Sequence, residues 1–239
     1  MRNFLKYPLL LLCLSAYVSP VSGQAILALL FGKNIKNDNL TLGIHVALQP
    51  ANLTNTPGAD FHTGISFGAY TNVKLSDNWT LSNYFIFKSP RGATSIPQAY
   101  QIQPDVPIAA DAKLTRKLTY MEISPLMRYS LTTGLSVAAG PQFAIRTVAK
   151  EIYELTLPDG GEETLIYHLR DKYALIDVDV AADVQYAFLK GQGIRLNLRF
   201  SQGLVNIYKD EIPLNAKNYY FQFGVGIPIA TGSTKNKIK

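Results

Sequence analysis

The chain has 239 residues, with 23 Lys and Arg against 17 Asp and Glu, a net charge of +6 and a hydrophobic content of 47%. That length suits one large domain, and no basic stripe interleaved with aromatic residues indicates nucleic-acid binding. The only cysteine, Cys13, lies in an N-terminal apolar run, so the rest of the chain offers no disulfide, thiolate nucleophile or cysteine-based metal site.

The first 23 residues have the pattern of a secretory signal peptide. Arg2 and Lys6 precede an apolar run over residues 7–18, and Val21 and Gly23 occupy the −3 and −1 positions of a cleavage site before Gln24. The run is shorter than the roughly 20 apolar residues of a membrane-spanning helix. We therefore expect an exported protein, with residues 24–39 forming a short lead-in in the periplasm.

Eight segments then alternate between apolar and polar residues with a period of two, which predicts β-strands. They cover residues 40–48, 61–74, 79–88, 118–130, 135–148, 173–188, 194–203 and 219–229. Each is about ten residues or longer, the length that a tilted strand needs to cross a bilayer. Strands of soluble sandwiches are nearer five or six residues.

The connections between these segments alternate in length. Those after the second, fourth and sixth segments are short, at residues 75–78, 131–134 and 189–193. Those after the first, third, fifth and seventh are long, at about residues 49–60, 89–117, 149–172 and 204–218. This order predicts an all-β fold, an eight-stranded antiparallel up-and-down transmembrane β-barrel over residues 40–230, followed by a polar basic tail at 231–239. It also predicts short turns and both termini in the periplasm, with long loops outside the cell.

The two faces of each segment support a lipid-exposed barrel. In the seventh segment, Leu196 and Leu198 lie on one face, while Arg195, Asn197 and Arg199 lie on the other. An apolar outer face and a polar inner face is the arrangement that a membrane barrel requires.

Four short motifs stand out along the chain: QAILALLFG at residues 24–32, YMEISPLMRY at 120–129, AGPQF at 139–143 and RFSQGLVNI at 199–207. Together they resemble the PorT-like outer-membrane β-barrel family of Bacteroidetes. The first is similar to the family's apolar lead-in, the second to its Y-x-E-I-P-L-x-x-x-Y strand, with Ser124 as an extra residue, and the last to R-Y-x-x-G-L-x-N-I. The chain departs from such barrels at its end, where Phe223 is followed by Pro228 and a polar tail instead of a terminal aromatic residue. The resemblance implies an outer-membrane location and no settled activity.

Charged residues collect on the predicted inner faces. The acids are Glu122, Asp177, Asp179 and Asp183, and the arginines are Arg128, Arg146, Arg195 and Arg199. The interior of an eight-stranded barrel is just wide enough for side chains to fill, and charges in such a space must be paired. We therefore predict one continuous lattice of paired charges in a packed lumen, with a selective pore or an acid–base site as the alternatives.

No catalytic residue, cofactor or metal site is predicted. His45, His62 and His168 share no strand or helical spacing that would place two of them on one metal ion. No His-x-Ser pair of the kind found in outer-membrane lipid-modifying enzymes occurs, so such an enzyme is the third functional alternative.

The third long connection contains a candidate contact site for a partner. Asp159, Gly160 and Gly161 can close a hairpin between residues 152–157 and 164–169. Its apolar residues are Tyr153, Leu155, Leu157, Leu165, Ile166 and Tyr167. We expect them to form a face without lipid to cover it, which is typical of a contact site, although the face could instead fold over the barrel mouth.

The leading functional hypothesis is a non-catalytic protein of the Gram-negative outer membrane, acting as a scaffold, a surface-contact protein or an accessory subunit of a secretion or assembly complex. Its expected partners are outer-membrane lipid and another envelope protein, which it would contact through the long loops. We expect no binding of nucleic acid. A small diffusion channel is the alternative.

Overall fold

The computed structural model describes residues 39–102, 112–156, 160–189, 191 and 193–231. The predicted signal peptide, and nearly all of the predicted lead-in and polar tail, lie outside these ranges. The strands are β1 (Leu40–Leu53), β2 (Asp60–Lys74), β3 (Trp79–Thr94), β4 (Lys113–Ser130), β5 (Leu135–Thr156), β6 (Glu162–His168), β7 (Ile176–Ala187), β8 (Arg195–Gly203) and β9 (Asn218–Thr231), with one 3₁₀ turn at Gln98–Tyr100. In this part of the chain, no helix has the length and apolar character needed to span a bilayer.

The sheet closes on itself. Its order is β4-β3-β2-β1-β9-β8-β7-β5-β6, and β4 also pairs with β5. Residues 135–145 of β5 pair with β7, whereas residues 150–156 of β5 pair with β6. β6 therefore lies beyond the closed ring of strands. Eight strands therefore form a closed antiparallel barrel, and the predicted fold is confirmed.

Period-two alternation sets the two faces of the barrel wall. In β8, Leu196 and Leu198 are 45% and 48% exposed on the outside, whereas Arg195 and Arg199 are 7% and 0% exposed on the inside. The chain therefore buries its polar residues and exposes its apolar ones, which is the reverse of a soluble domain.

Glycines on the inner face make room for large side chains from other strands. A Cβ atom on Gly43 would lie 2.3 Å from the Tyr70 ring, and one on Gly224 would lie 2.1 Å from Oδ1 of Asn197. Because the lumen is narrow, these two positions accept no larger residue without displacing their neighbours.

The two ends of the barrel differ. At one end, which we call the short-turn end, tight turns join the strands, as where the Leu131 amide donates to the Leu135 carbonyl at 2.9 Å. At the other end, which we call the long-loop end, three strands are longer than the predicted segments. β3 continues to Thr94, β4 begins already at Lys113, and β5 continues to Thr156. The predicted hairpin in the third long connection is present, because residues 150–156 of β5 pair with β6.

The barrel interior as the candidate functional site

A buried arginine occupies the middle of the lumen. Nη1 of Arg91, from β3, donates to Oδ2 of Asp177 at 2.7 Å and to Oδ2 of Asp179 at 2.9 Å, both on β7. Its Nη2 donates to Oε2 of Glu122 on β4 at 2.9 Å and to the Tyr220 hydroxyl on β9 at 3.1 Å. We call these five residues the central cluster. One guanidinium group thus connects four strands across the lumen.

Aromatic rings and neutral donors complete this cluster. The Arg91 guanidinium carbon lies 4.7 Å from the ring centres of both Tyr120 and Tyr220, which is cation–π geometry. Glu122 also accepts hydrogen bonds from four side chains: Ser89, Ser124, Gln142 and Tyr220. Arg91, Glu122 and Tyr220 are almost completely buried, so side chains fill the lumen at this level.

A second group of charges lies closer to the short-turn end, and we call it the turn-side cluster. Asp183 on β7 forms ion pairs with Arg128 on β4 and with Nε of Arg199 on β8. The Asn197 amide donates to the same carboxylate at 2.9 Å. Asp183 and Arg199 are direct cross-strand partners, so the register of β7 and β8 produces this pair.

A third polar group lies at the long-loop end. Nε of Arg116, from β4, donates to Oε1 of Glu151 on β5 at 3.0 Å, and Oε2 of Glu151 accepts from the Tyr153 hydroxyl at 2.7 Å. Two loop tyrosines join them: Tyr208 accepts from Arg116, and Tyr173 donates to Glu151 at 3.3 Å. Burial raises the pKa of Tyr173 and that of Tyr208, so both phenols keep their protons.

Apolar side chains surround this third group and span the long-loop end. They come from strand ends and from all four long connections, and include Leu53, Ile96, Leu118, Leu169, Ile207 and Ala216, each at most 4% exposed. We call this cluster, with Arg116, Glu151 and their tyrosines, the cap. It covers the barrel mouth at this end.

The predicted charge lattice is only partly present. Glu122, Asp177, Asp179 and Asp183 are buried in the lumen and hydrogen-bonded, and Arg128 and Arg199 take part in ion pairs. The hydrogen bonds of the described residues form separate central and turn-side clusters, so the prediction of one continuous lattice is wrong.

Arg146 and Arg195 do not belong to either cluster. Arg146 donates to the carbonyls of Ala174, Arg170 and Tyr173, and so holds the connection before β7. Arg195 packs against the ring of Tyr70 with a separation of 5.2 Å. The alternation along the strands predicted that both side chains point into the lumen. It carries no information on the level along the barrel axis at which their partners lie.

Sequence analysis missed Arg91 and Arg116, two of the three fully buried ion-paired arginines among the described residues, because both lie in stretches interpreted as loop. Arg91 follows Pro90, whose missing amide hydrogen argues against a strand interior. Arg116 could have been found by continuing the inward phase of β4 backwards in steps of two from Glu122 through Tyr120 and Leu118.

The predicted contact face of the hairpin is largely covered. Tyr153 is 1% exposed, and Leu165 and Tyr167 pack against the cap, so the expectation of an uncovered face is wrong for these three. Leu155 is half-buried and Ile166 is 49% exposed. Leu157 lies outside the described residues. These three residues are covered because the hairpin face that they share packs against the cap.

The three histidines are apart. His45 is buried in the lumen with its ring edge-on to Tyr84 at 5.3 Å, His62 is half-buried on β2, and His168 is exposed on β6. Over the described ranges, no group of three histidine, aspartate or glutamate side chains is arranged to hold a metal ion.

Several solved structures are similar to this chain. Ail, the attachment invasion locus protein of Yersinia pestis, solved in complex with the heparin analogue sucrose octasulfate, is 10% identical with a TM-score of 0.43, over 80% of this chain and 99% of Ail. Neisserial surface protein A is 12% identical with a TM-score of 0.39, over 79% and 96%. OprG of Pseudomonas aeruginosa is 7% identical with a TM-score of 0.35, over 79% and 93%.

Comparison with curated proteins found no match. The family comparison is decisive, because the model of the outer membrane protein beta-barrel domain matches residues 31–209, most of the chain. The protein therefore belongs to the outer membrane protein beta-barrel domain family, and it is a β-barrel of the Gram-negative outer membrane.

Proposed function

We propose that this protein is a non-catalytic outer-membrane barrel that acts by surface contact at its long-loop end, as a scaffold or as an accessory subunit of a secretion or assembly complex. The observation that carries the proposal is the filled interior. The central cluster blocks the lumen, and the cap covers the barrel mouth. What remains available to a partner is the outer surface of the long loops.

A diffusion channel would require Arg91 to leave its site. Its guanidinium group bonds three carboxylates at 2.7–2.9 Å, and an unpaired charge in a dry interior is costly. We therefore expect no steady conductance from the purified wild type in planar bilayers, with a porin inserted from the same detergent as the positive control. Steady, reproducible conductance would refute the proposal and favour a small diffusion channel.

The β5–β6 hairpin is the best contact surface. Among the described strands, β6 pairs with β5 alone, so its other edge is open to a further strand. On the hairpin face that points away from the cap, Ile152 and Ile166 are cross-strand partners. A free edge beside an apolar pair suits an extended segment of another envelope protein.

We infer further that the long loops face outward and that both termini are periplasmic. Gly160 has open space around it, so a cysteine there should react with a membrane-impermeant thiol reagent on intact cells. A cysteine at Thr133, exposed in a short turn, should react only after the outer membrane is permeabilised. The reverse pattern would refute this orientation.

The contact itself is tested by site-specific photo-crosslinking in native membranes. A photo-reactive residue at Ile166 should give a discrete crosslinked product, whereas one at Asn215, exposed in the fourth long connection, should give none. Replacing Ile152 with Lys should abolish crosslinking from residue 166 while leaving heat-modifiable barrel folding intact. Equal products from both positions, or none from either, would place the contact elsewhere and refute the assignment.

A further inference from the structure

The lumen contains a polar cavity at the short-turn end, on the far side of the charge clusters from the cap. Its volume is about 290 Å³. Inward residues of several strands line it, among them Asn72, Thr80, Arg128, Ser130 and Arg195, together with Thr133 of a turn. This volume is at the small end for ligand sites, enough for a small polyatomic ion with some water.

Arg195 is the unusual member of this lining. It is only 7% exposed, yet its Nε and Nη1 atoms have no hydrogen-bond partner among the described residues. Its cross-strand neighbours are Ala187 on β7 and Gly226 on β9, and neither has a side chain that could accept a hydrogen bond. Two N–H groups of a buried guanidinium that have no acceptor are costly, so the surroundings must supply acceptors for them.

The charge balance around the cavity gives independent support. Among the described inward side chains of this half of the barrel, Arg128, Arg195 and Arg199 face one acid, Asp183. That carboxylate already accepts from Arg128 and Arg199, and so leaves Arg195 without a counter-charge. At the cavity rim, Asp77 is held by Lys74 at 2.9 Å. The central cluster has the opposite balance, with three acids around one arginine.

We propose that this cavity is a binding site for a small oxyanion, with Arg195 as its principal ligand. The planar fork of the guanidinium group matches the paired oxygens of a phosphate or carboxylate group. The hydroxyls of Thr80, Ser130 and Thr133 line the same space and can donate to the remaining oxygens. The site opens among the short turns, so the anion enters from the side of the barrel opposite the cap.

The test uses the full barrel in neutral detergent, titrated calorimetrically with inorganic phosphate and separately with citrate, at constant ionic strength set with chloride. We expect saturable binding of at least one anion. Arg195→Gln should weaken it by at least about tenfold, the scale of one lost charged hydrogen bond. Lys209→Gln removes the same charge from an exposed residue near the long-loop end and should leave binding unchanged.

The two anions distinguish the sources of the ligand. Binding of both would assign the site to oxyanions in general, whereas binding of phosphate alone would assign it to phosphate or its monoesters, and of citrate alone to carboxylates. Absence of saturable binding by either would mean that only water solvates Arg195, and would overturn the proposal, as would equal binding by Arg195→Gln. If that variant fails to fold, Arg195→Met removes the same charge with an unbranched apolar side chain. Equal broadening of the phosphate ³¹P signal by this variant and by the wild type would also overturn the proposal.

Discussion

Replacing Arg91 with Leu tests whether the central cluster holds the barrel together. The substitution leaves three buried carboxylates without their shared cation. Glu122 keeps four neutral donors, but Asp179 has no other side-chain donor among the hydrogen bonds of the described residues. Removal of one partner from a buried ion pair costs about 3–5 kcal/mol. We expect a loss in the free energy of unfolding near the top of that range, about 5 kcal/mol.

Urea-induced unfolding in detergent micelles measures this loss. Trp79 is the only tryptophan of the chain and lies 44% exposed on the outer face beside Tyr129, so its fluorescence reports the loss of barrel structure. The matched control is Arg170→Leu, the same substitution at an exposed residue, for which we expect a change within about 0.5 kcal/mol. If the two variants unfold at the same urea concentration, Arg91 does not stabilise the barrel and the reasoning fails.

Three further substitutions test the other parts of the interior. Asp183→Asn should lower the free energy of unfolding by about 3 kcal/mol in the same assay, because it leaves Arg128 and Arg199 uncompensated; no change would mean that another group neutralises them. Glu151→Gln should loosen the cap around Arg116 and speed proteolysis in the long loops, without loss of heat-modifiable folding; unchanged proteolysis would show that apolar packing alone holds the cap. Gly68→Val should reduce the folded fraction, since a Cβ there would lie 2.1 Å from the Phe85 carbonyl oxygen, whereas Ala69→Val on the outer face should not.

The barrel itself could be predicted from the sequence because its signals are local. Alternation with a period of two sets the face on which each side chain lies, and the order of short and long connections sets the up-and-down topology. The same signals placed Glu122, Asp177, Asp179 and Asp183 inside the lumen. They failed where the strands leave the bilayer region. There β3, β4 and β5 no longer face lipid, so the apolar outer face that marked them in the sequence disappears.

Within the predicted segments, the sequence by itself determined which residues face inward, but only the closed barrel decided which of them meet. Arg91 binds Asp177, which is 86 positions away in the chain. Their meeting depends on the register of every strand pair between them, including the irregular pairing between β3 and β4. Ring closure and register are properties of the whole sheet, so no local pattern encodes the height of a side chain in the lumen. For the same reason Tyr153, apolar and predicted to lie in an exposed face, is buried once the hairpin meets the cap.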